Sequence, residues 1–456
     1  MQAASMSSRT GLCRDRVWRC LLWVWVTWWT CLPATAAAAD YPPNIVVIVA
    51  DDLGWKDVGY HGSEIRTPHI DKLAMAGVRL ERHYVYPTCS PTRAGLLTGR
   101  NPSRFGIHGP IAGRSEQSLP PGTTTLANIL RTRGYTTALF GKWHLGLRPE
   151  VGPRQYGFDQ TYGYLHGQTD QYTHLYKNGD RSWHRNDSFV DEKGHATDLI
   201  AGEAVRFITT QRSKPFFLWV AFSVPHFPLQ EEDQWVAPYL SSIKDPSRRL
   251  YAASVAHMDA AIGRITAALE KAEKLSETVI FFTSDNGGQE EYHSEVDYGG
   301  KHGPYPVLGD NRPLRGWKTD LYEGGVRVPA FVYWGGHLKP WVLQTLVSYL
   351  DWCPTLAQLA GAKISDQWKL EGRNVWSLLT GQAVKLPAPM LYWNVGDAAA
   401  VLQDDWKLIA RQQNPDAVEL FDLARDAAEK TNLARTKSAK VEQLREVLAT
   451  QRNLDP

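Results

Sequence analysis

Asn44-Ile45-Val46-Val47-Ile48-Val49-Ala50 is an unbroken apolar run, mostly β-branched, with no polar alternation after its first residue. A strand with one wet face alternates polar and apolar side chains. A strand without alternation is buried on both faces, as at the centre of a parallel sheet covered by helices. Residues 215–222 (Pro-Phe-Phe-Leu-Trp-Val-Ala-Phe) and 278–284 (Thr-Val-Ile-Phe-Phe-Thr-Ser) read the same way, and 135–140 and 328–334 add further strands. Helical spacing lies between them. Thr67 to Gly77 has Thr67 as a cap, Pro68 in the first turn, and Ile70, Leu73, Ala74 and Gly77 on one face. Residues 126–133, 196–211, 250–274 and 350–361 are also helical in pattern. Strands alternating with helices predict an α/β fold with a mostly parallel sheet flanked by helices.

Two stretches depart from that rhythm. Residues 150–195 are rich in Gly, Tyr and His without periodicity and read as a long loop region over a site. After about residue 385, short strands at 390–394 and 405–410 precede a helix at 438–452. They predict a small C-terminal α+β subdomain with an antiparallel sheet. The expected organisation is a signal peptide over 1–39, a catalytic α/β domain over 40–384 and the subdomain over 385–456.

The N-terminus reads as an export signal. Arg9, Arg14, Arg16 and Arg19 precede the apolar run 21–32, and Ala37-Ala38-Ala39 supplies small residues for cleavage before Asp40. The alternative is an uncleaved membrane anchor, disfavoured because the run is short for a span and no second apolar stretch follows. Cleavage takes four Arg and one Asp, a net of +3, from a chain of formal charge +2, and leaves it at −1. No basic run points to nucleic acid. The expected location is secreted or periplasmic, with membrane contact only through the export machinery. Eighteen tryptophans are many, and outside the signal they serve as core or as the lining of a sugar-binding cleft. Asn186-Asp187-Ser188 is a glycosylation sequon, which occurs easily by chance.

Cleavage also removes Cys13, Cys20 and Cys31, leaving Cys89 and Cys353. Cys353 sits in what reads as a buried helix start, so a disulfide with Cys89 is disfavoured and Cys353 is expected to be inert core. Cys89 is then an unpaired thiol in an oxidising compartment, which invites a chemical explanation. It opens Cys89-Ser90-Pro91-Thr92-Arg93, where Pro91 suits the first position of a helix and Cys89 would face the free N–H groups of its N-terminus. Taken alone, packing explains such a cysteine well enough.

Two of the buried strands end in oxygen donors, Asp51-Asp52 and Asp285-Asn286. Either pair alone reads as turn chemistry. Together, beyond the ends of two buried strands, they suit a shared hard cation, Ca²⁺ or Mg²⁺, better than Zn²⁺. Arg93, Lys142, His144, His226 and Lys318 lie in or beside Gly- or Pro-bearing loops near strand ends. Singly each reads as a solvated charge or a packed histidine. As a set they suit an anionic, oxygen-rich substrate such as sulfate or phosphate.

These blocks together resemble the type I sulfatase family. Cys89-Ser90-Pro91-Thr92-Arg93 with Leu97-Thr98-Gly99-Arg100 resembles its signature. Residues 43–55, Gly141-Lys142-Trp143-His144-Leu145-Gly146, residues 283–288, and Pro313 to Lys318 with Glu323 to Arg327 resemble its other blocks. Residues 419–423 with Asn432-Leu433-Ala434 resemble its C-terminal subdomain. Ser223 to His226, Pro228 to Gln230 and Arg315 to Lys318 are most similar to the arylsulfatase B-like group.

The resemblance implies an alkaline-phosphatase-like fold and a sulfuric ester hydrolase. A separate maturation enzyme would oxidise Cys89 to formylglycine, whose hydrate is the nucleophile, with one hydroxyl attacking sulfur and the other expelling sulfate. Asp51, Asp52, Asp285, Asn286 and the Cys89-derived group would bind Ca²⁺, or Mg²⁺. Arg93 and His144 would hold the hydrate, Lys142 and Lys318 the sulfate oxygens, and His226 would protonate the leaving alcohol. The expected substrate is a sulfated carbohydrate or aryl sulfate. Two rivals stand beside it: a phosphate- or phosphonate-ester hydrolase on the same scaffold, and a non-catalytic binder of sulfated glycans. The segment 290–312, with His293, Lys301, His302, Tyr305 and Asp310, is longer than the resemblance leads one to expect. It reads equally as a substrate-facing loop or a solvated insertion.

Overall fold

The structure is a computed structural model that describes residues 42–456 except 212, 384, 388 and 415. The expected signal peptide lies outside the described residues. In chain order the strands are β1 (Asn44–Ala50), β2 (Val78–Leu80), β3 (His83–Tyr84), β4 (Thr136–Lys142), β5 (Gln160–Tyr164), β6 (Trp183–Arg185), β7 (Ser188–Phe189), β8 (Phe216–Ala221), β9 (Thr278–Ser284), β10 (Ala330–Tyr333), β11 (Trp341–Leu343), β12 (Val347–Ser348), β13 (Met390–Val395), β14 (Ala398–Gln403), β15 (Trp406–Arg411) and β16 (Glu419–Asp422). The helices are α1 (Pro68–Ala76), α2 (Cys89–Thr98), α3 (Leu126–Thr132), α4 (Ala196–Thr210), α5 (Asp233–Val236), α6 (Pro246–Lys271), α7 (Glu323–Val326), α8 (Trp352–Leu359), α9 (Trp376–Leu379) and α10 (Ser438–Arg452).

The main sheet runs β11-β2-β10-β9-β1-β8-β4-β5-β6-β7. Its centre, β9-β1-β8-β4-β5, is parallel throughout. β10 and β6 turn the flanks antiparallel. The lack of alternation in β1 has its predicted cause. Ile45, Val47 and Val49 enter one core with residues of α2, α3 and α8, while Val46 and Ile48 enter a second with residues of α1, α4 and α6. Each such aliphatic side chain, fully buried, contributes about 1.5–3 kcal/mol. A third core joins β13-β14-β15-β16, an antiparallel meander, to α10.

Three local expectations are corrected. Thr67 does not cap α1; its hydroxyl donates to Asp71 instead, and the N–H groups of His69 and Ile70 reach the Asp259 carboxylate on α6. Helix α2 begins at Cys89, so Pro91 is its third residue; that N–H also lacks a partner within the helix, so the proline costs nothing there. The stretch 150–195 is not a loop region throughout. It contributes β5, β6 and β7 to the main sheet. β5 lies in register beside β4, and there the backbones approach closely. A Cβ on Gly163 would sit 2.3 Å from the Gly141 carbonyl oxygen, and one on Gly141 would sit 1.7 Å from that of Ala221. Glycine is required at both positions.

Candidate active site

Four central strands each lead into a candidate site residue at their C-terminal ends, where ligands gather in such sheets. β1 leads into Asp51-Asp52, β9 into Asp285-Asn286, β8 into the loop carrying His226, and β4 ends on Lys142 with His144 two residues on. The adjacency of β9, β1, β8 and β4 brings these groups together, Asp52 and Asn286 from positions 234 residues apart. Arg93 arrives from α2 and Lys318 from the loop before α7.

The carboxylates are buried and tightly paired. Lys142 Nζ donates to both oxygens of Asp51, at 2.9 and 2.7 Å, and stands 4.0 Å from Asp285 Oδ2. Arg93 donates through Nε (3.0 Å) and Nη2 (2.7 Å) to Asp285 Oδ2 and through Nη1 to the Lys142 carbonyl. Lys318 Nζ reaches Asp52 Oδ2 at 2.8 Å, and Asn286 Nδ2 donates to Asp52 Oδ1 at 2.7 Å. His226 Nε2 stands 3.7 Å from Asp52 Oδ2. Asp52 has a positive φ of 67°, a strained backbone for a residue other than glycine.

Electrostatics separate the two neighbouring aspartates. Burial, with the nearby Asp285 charge, pushes Asp51 up to about 8 despite Lys142. Burial also opposes ionisation of Asp52, but the lysine charges, Lys318 first and then Lys142, outweigh it and hold the group at about 2. Asp51 is thus short of positive charge. Asn286 Oδ1 is buried without a hydrogen-bond donor. Three carboxylates and an orphaned amide oxygen are hard donors, so the residues present fit a divalent cation of the Ca²⁺ or Mg²⁺ class. Donor atoms of Asp51, Asp52 and His226 lie within 4.8 Å of one another.

Cys89 lies at the start of α2, 2% exposed. Burial raises its thiol pKa, with Lys142 and Lys318 pulling the other way. A thiol held neutral is a poor nucleophile. Cys353 is likewise free and buried, and burial pushes it up to about 12.

Both histidines are held neutral, chiefly by burial and then by nearby lysines. His144 Nε2 lies 2.8 Å from the Ile111 carbonyl, which can only accept, so its proton is on Nε2. Its buried Nδ1 is an acceptor with no donor. His226 Nδ1 lies 2.6 Å from the Phe227 carbonyl and carries that ring's proton. The Nε2 facing Asp52 is therefore bare.

All the expected site residues converge. Sequence reasoning missed Tyr164, whose hydroxyl is buried without a partner and feels the charges of Asp51 and Arg93. It pairs with Lys142 across β4 and β5, a neighbour findable only once 160–164 is read as a strand. It also missed the carbonyl of Ile111 and the close fit of Gly167 against the His144 ring. The segment 290–312 is divided in use. Tyr305 and Asp310 are buried anchors, Tyr305 donating to the Leu229 carbonyl and Asp310 holding Arg312. His302 meets Asp170 at 3.1 Å, while His293 and Lys301 are exposed.

Behind the His226 loop is a second cluster. Glu231 accepts from His257 Nδ1 at 2.7 Å, with His257 Nε2 3.3 Å from Asp198. Trp235 and His195 pack on the His257 ring, with ring centroids 4.5 and 4.7 Å away.

Comparison with known proteins gives this geometry its class. Residues 43–362 match the sulfatase family model, and residues 316–453 match the model for the C-terminal region of N-sulphoglucosamine sulphohydrolase. The chain is 33% identical to N-acetylgalactosamine-6-sulfatase of Mus musculus, over 82% of this chain and 72% of that protein. It is 36% identical to arylsulfatase J of Mus musculus over 76% of this chain, but spans only 57% of that relative's length. The solved structure of Ps i-CgsB superposes with a TM-score of 0.81 at 31% identity, covering 91% of this chain and 94% of that one.

The fold is that of the alkaline-phosphatase-like sulfatases. The chain belongs to the sulfatase family. Among the described residues, no helix is long and apolar enough to cross a membrane.

Proposed function

We propose that this protein hydrolyses the sulfate ester of a sulfated carbohydrate or aryl compound after Cys89 has been converted to formylglycine. The observation that carries this reading is the convergence of Asp51, Asp52, Asp285 and Asn286 with Arg93, Lys142 and Lys318 around a buried cysteine that is not itself activated. The maturation enzyme is the partner this requires. Within the same reading, residues 1–39 are an export signal, residues 40–384 the catalytic domain and residues 385–456 the C-terminal subdomain. The mature protein is secreted or periplasmic.

When present, formylglycine supplies the nucleophile, and a Ca²⁺ or Mg²⁺ ion held by Asp51, Asp52, Asp285 and Asn286 neutralises developing charge. The remaining work falls to this chain's own groups. Lys142 and Lys318 bind sulfate oxygens, exchanging part of their hold on Asp51 and Asp52 for the anion. Arg93 fixes Asp285 and the end of β4. His144 offers Nδ1 as an acceptor for a hydroxyl at position 89. His226 stands neutral with Nε2 bare. A bound sulfate would offset the lysine charges that add to burial in suppressing its protonation, which favours uptake of a proton from solvent at Nε2 and its transfer to the leaving alcohol.

Steady-state assays of the matured protein on para-nitrophenyl sulfate and para-nitrophenyl phosphate test the reading. A clear sulfate preference is expected. A phosphate preference overturns it in favour of a phosphate-ester hydrolase, and binding of sulfated glycans without any turnover overturns it in favour of a binding protein.

A further inference from the structure

A pocket of about 340 Å³ opens on Lys318, lined also by Gln289, Glu290, Glu291, Trp317 and Asp320. Lys318 binds Asp52, so this pocket and the candidate site share that residue. Glu290 and Glu291, at the start of the long segment 290–312, also line it. Glu290 and Glu291 are exposed there. Glu291 meets only His293, at 3.1 Å, and Glu290 has no ion pair or side-chain hydrogen bond among the described residues. Asp320 is committed differently: its carboxylate accepts from the Trp317 N–H at 2.9 Å and fixes the turn that presents the half-buried indole.

The chemistry of this lining is one-sided. An aromatic face suits the C–H side of a sugar ring, and carboxylates and an amide suit its hydroxyls. Among the lining residues the only cation is Lys318, already engaged with Asp52 and with the sulfate to be cut. A second sulfate, or a ring carboxylate, entering here meets two carboxylates without a compensating charge. We infer that this pocket receives the alcohol side of the substrate and selects a neutral, hydroxyl-rich ring carrying a single sulfate. Glu290 and Glu291 act as its specificity residues against further anionic groups. This inference rests on the sulfatase reading above.

The test uses the matured full-length protein with para-nitrophenyl sulfate as reporter. Galactose monosulfate and galactose disulfate, sharing one sulfate position, serve as competitors. The monosulfate is expected to compete about tenfold more tightly, the order of one like-charge contact in a partly solvated pocket. E290Q/E291Q should collapse that ratio towards one, and E290K/E291K should reverse it. A ratio built into each protein is insensitive to changes in the amount of active enzyme. Equal competition in the unaltered protein, or a ratio that survives charge reversal, overturns the inference. Absence of para-nitrophenyl sulfate turnover counts instead against the sulfatase reading, and this inference falls with it.

Discussion

Lys142 and Lys318 have the same chemistry and the same proposed ligand, but their surroundings assign them different weights. Lys142 is wholly buried, with both oxygens of Asp51 as acceptors. Removing it leaves a buried carboxyl group without its hydrogen-bond partner, so Lys142→Ala should cost about 1–3 kcal/mol of stability as well as activity. The Lys318 side chain is 11% exposed at the pocket mouth, and Asp52 keeps the Asn286 donor without it. Lys318→Ala should therefore unfold close to the unaltered protein while kcat/KM falls by about 10²–10³. Denaturant unfolding and steady-state kinetics on the same two preparations separate the cases. Equal destabilisation would mean that the Asp52 pair is as structural as the Asp51 pair. Asp51, Asp52 and Lys142 were legible because they stood at the ends of recognisable strands, whereas Lys318, in the loop before α7, was legible only through the family resemblance. Their proton positions were not. The His144 tautomer depends on the Ile111 carbonyl, 33 residues away, which no local pattern announces.

At the scale of elements, legibility followed hydrophobic pattern. β1, β8 and β9 were readable because burial on both faces leaves a continuous apolar run. β5 to β7 were not, because two to five residues rich in Gly, Tyr and His carry no period. What holds β5 is backbone approach at Gly141 and Gly163. β14 begins Ala398-Ala399-Ala400, a weak strand former that pairing with β13 and β15 overrides. The His257 cluster belongs to this scale, since it ties α4, α6 and the loop bearing His226. Burial alone would lower the His257 pKa, but Asp198 and Glu231 push it up to about 9 from an ordinary 6.5. The folded value lies above the unfolded one. Its stabilisation is therefore complete below about pH 6.5 and lost as pH rises through about 9. His257→Gln should flatten that part of the stability curve, read as denaturant midpoints across the window. An unchanged slope would show that the imidazole is not charged in the folded protein.

At the scale of the whole molecule, a buried charge cluster ties the C-terminal sheet to the segment that carries Lys318. Lys407 on β15 reaches Glu323 at 3.1 Å and Glu429 at 2.9 Å, with all three side chains buried. Glu323 opens α7, just after the Lys318 loop, and also accepts from the Tyr84 hydroxyl at 2.7 Å. Lys407→Met leaves Glu429 without a cation and Glu323 with only Arg327, 3.6 Å away, at a cost of about 3 kcal/mol. Because Glu323 anchors the segment that carries Lys318, kcat/KM should fall in the protein that remains folded. Retained activity at full strength would separate the C-terminal sheet from the site.

In the proposed function, position 89 carries its chemistry only after conversion. Helix α2 places Cys89 among the lysines and carboxylates of the site, and burial keeps the thiol neutral there. Mass spectrometry of the peptide spanning Cys89, from protein made in a host with the maturation enzyme, tests this most directly. The predicted result is an aldehyde residue in place of the thiol in the fraction that turns over sulfate ester, with turnover abolished in Cys89→Ala while its melting curve is nearly retained. An intact thiol in fully active protein would contradict the account.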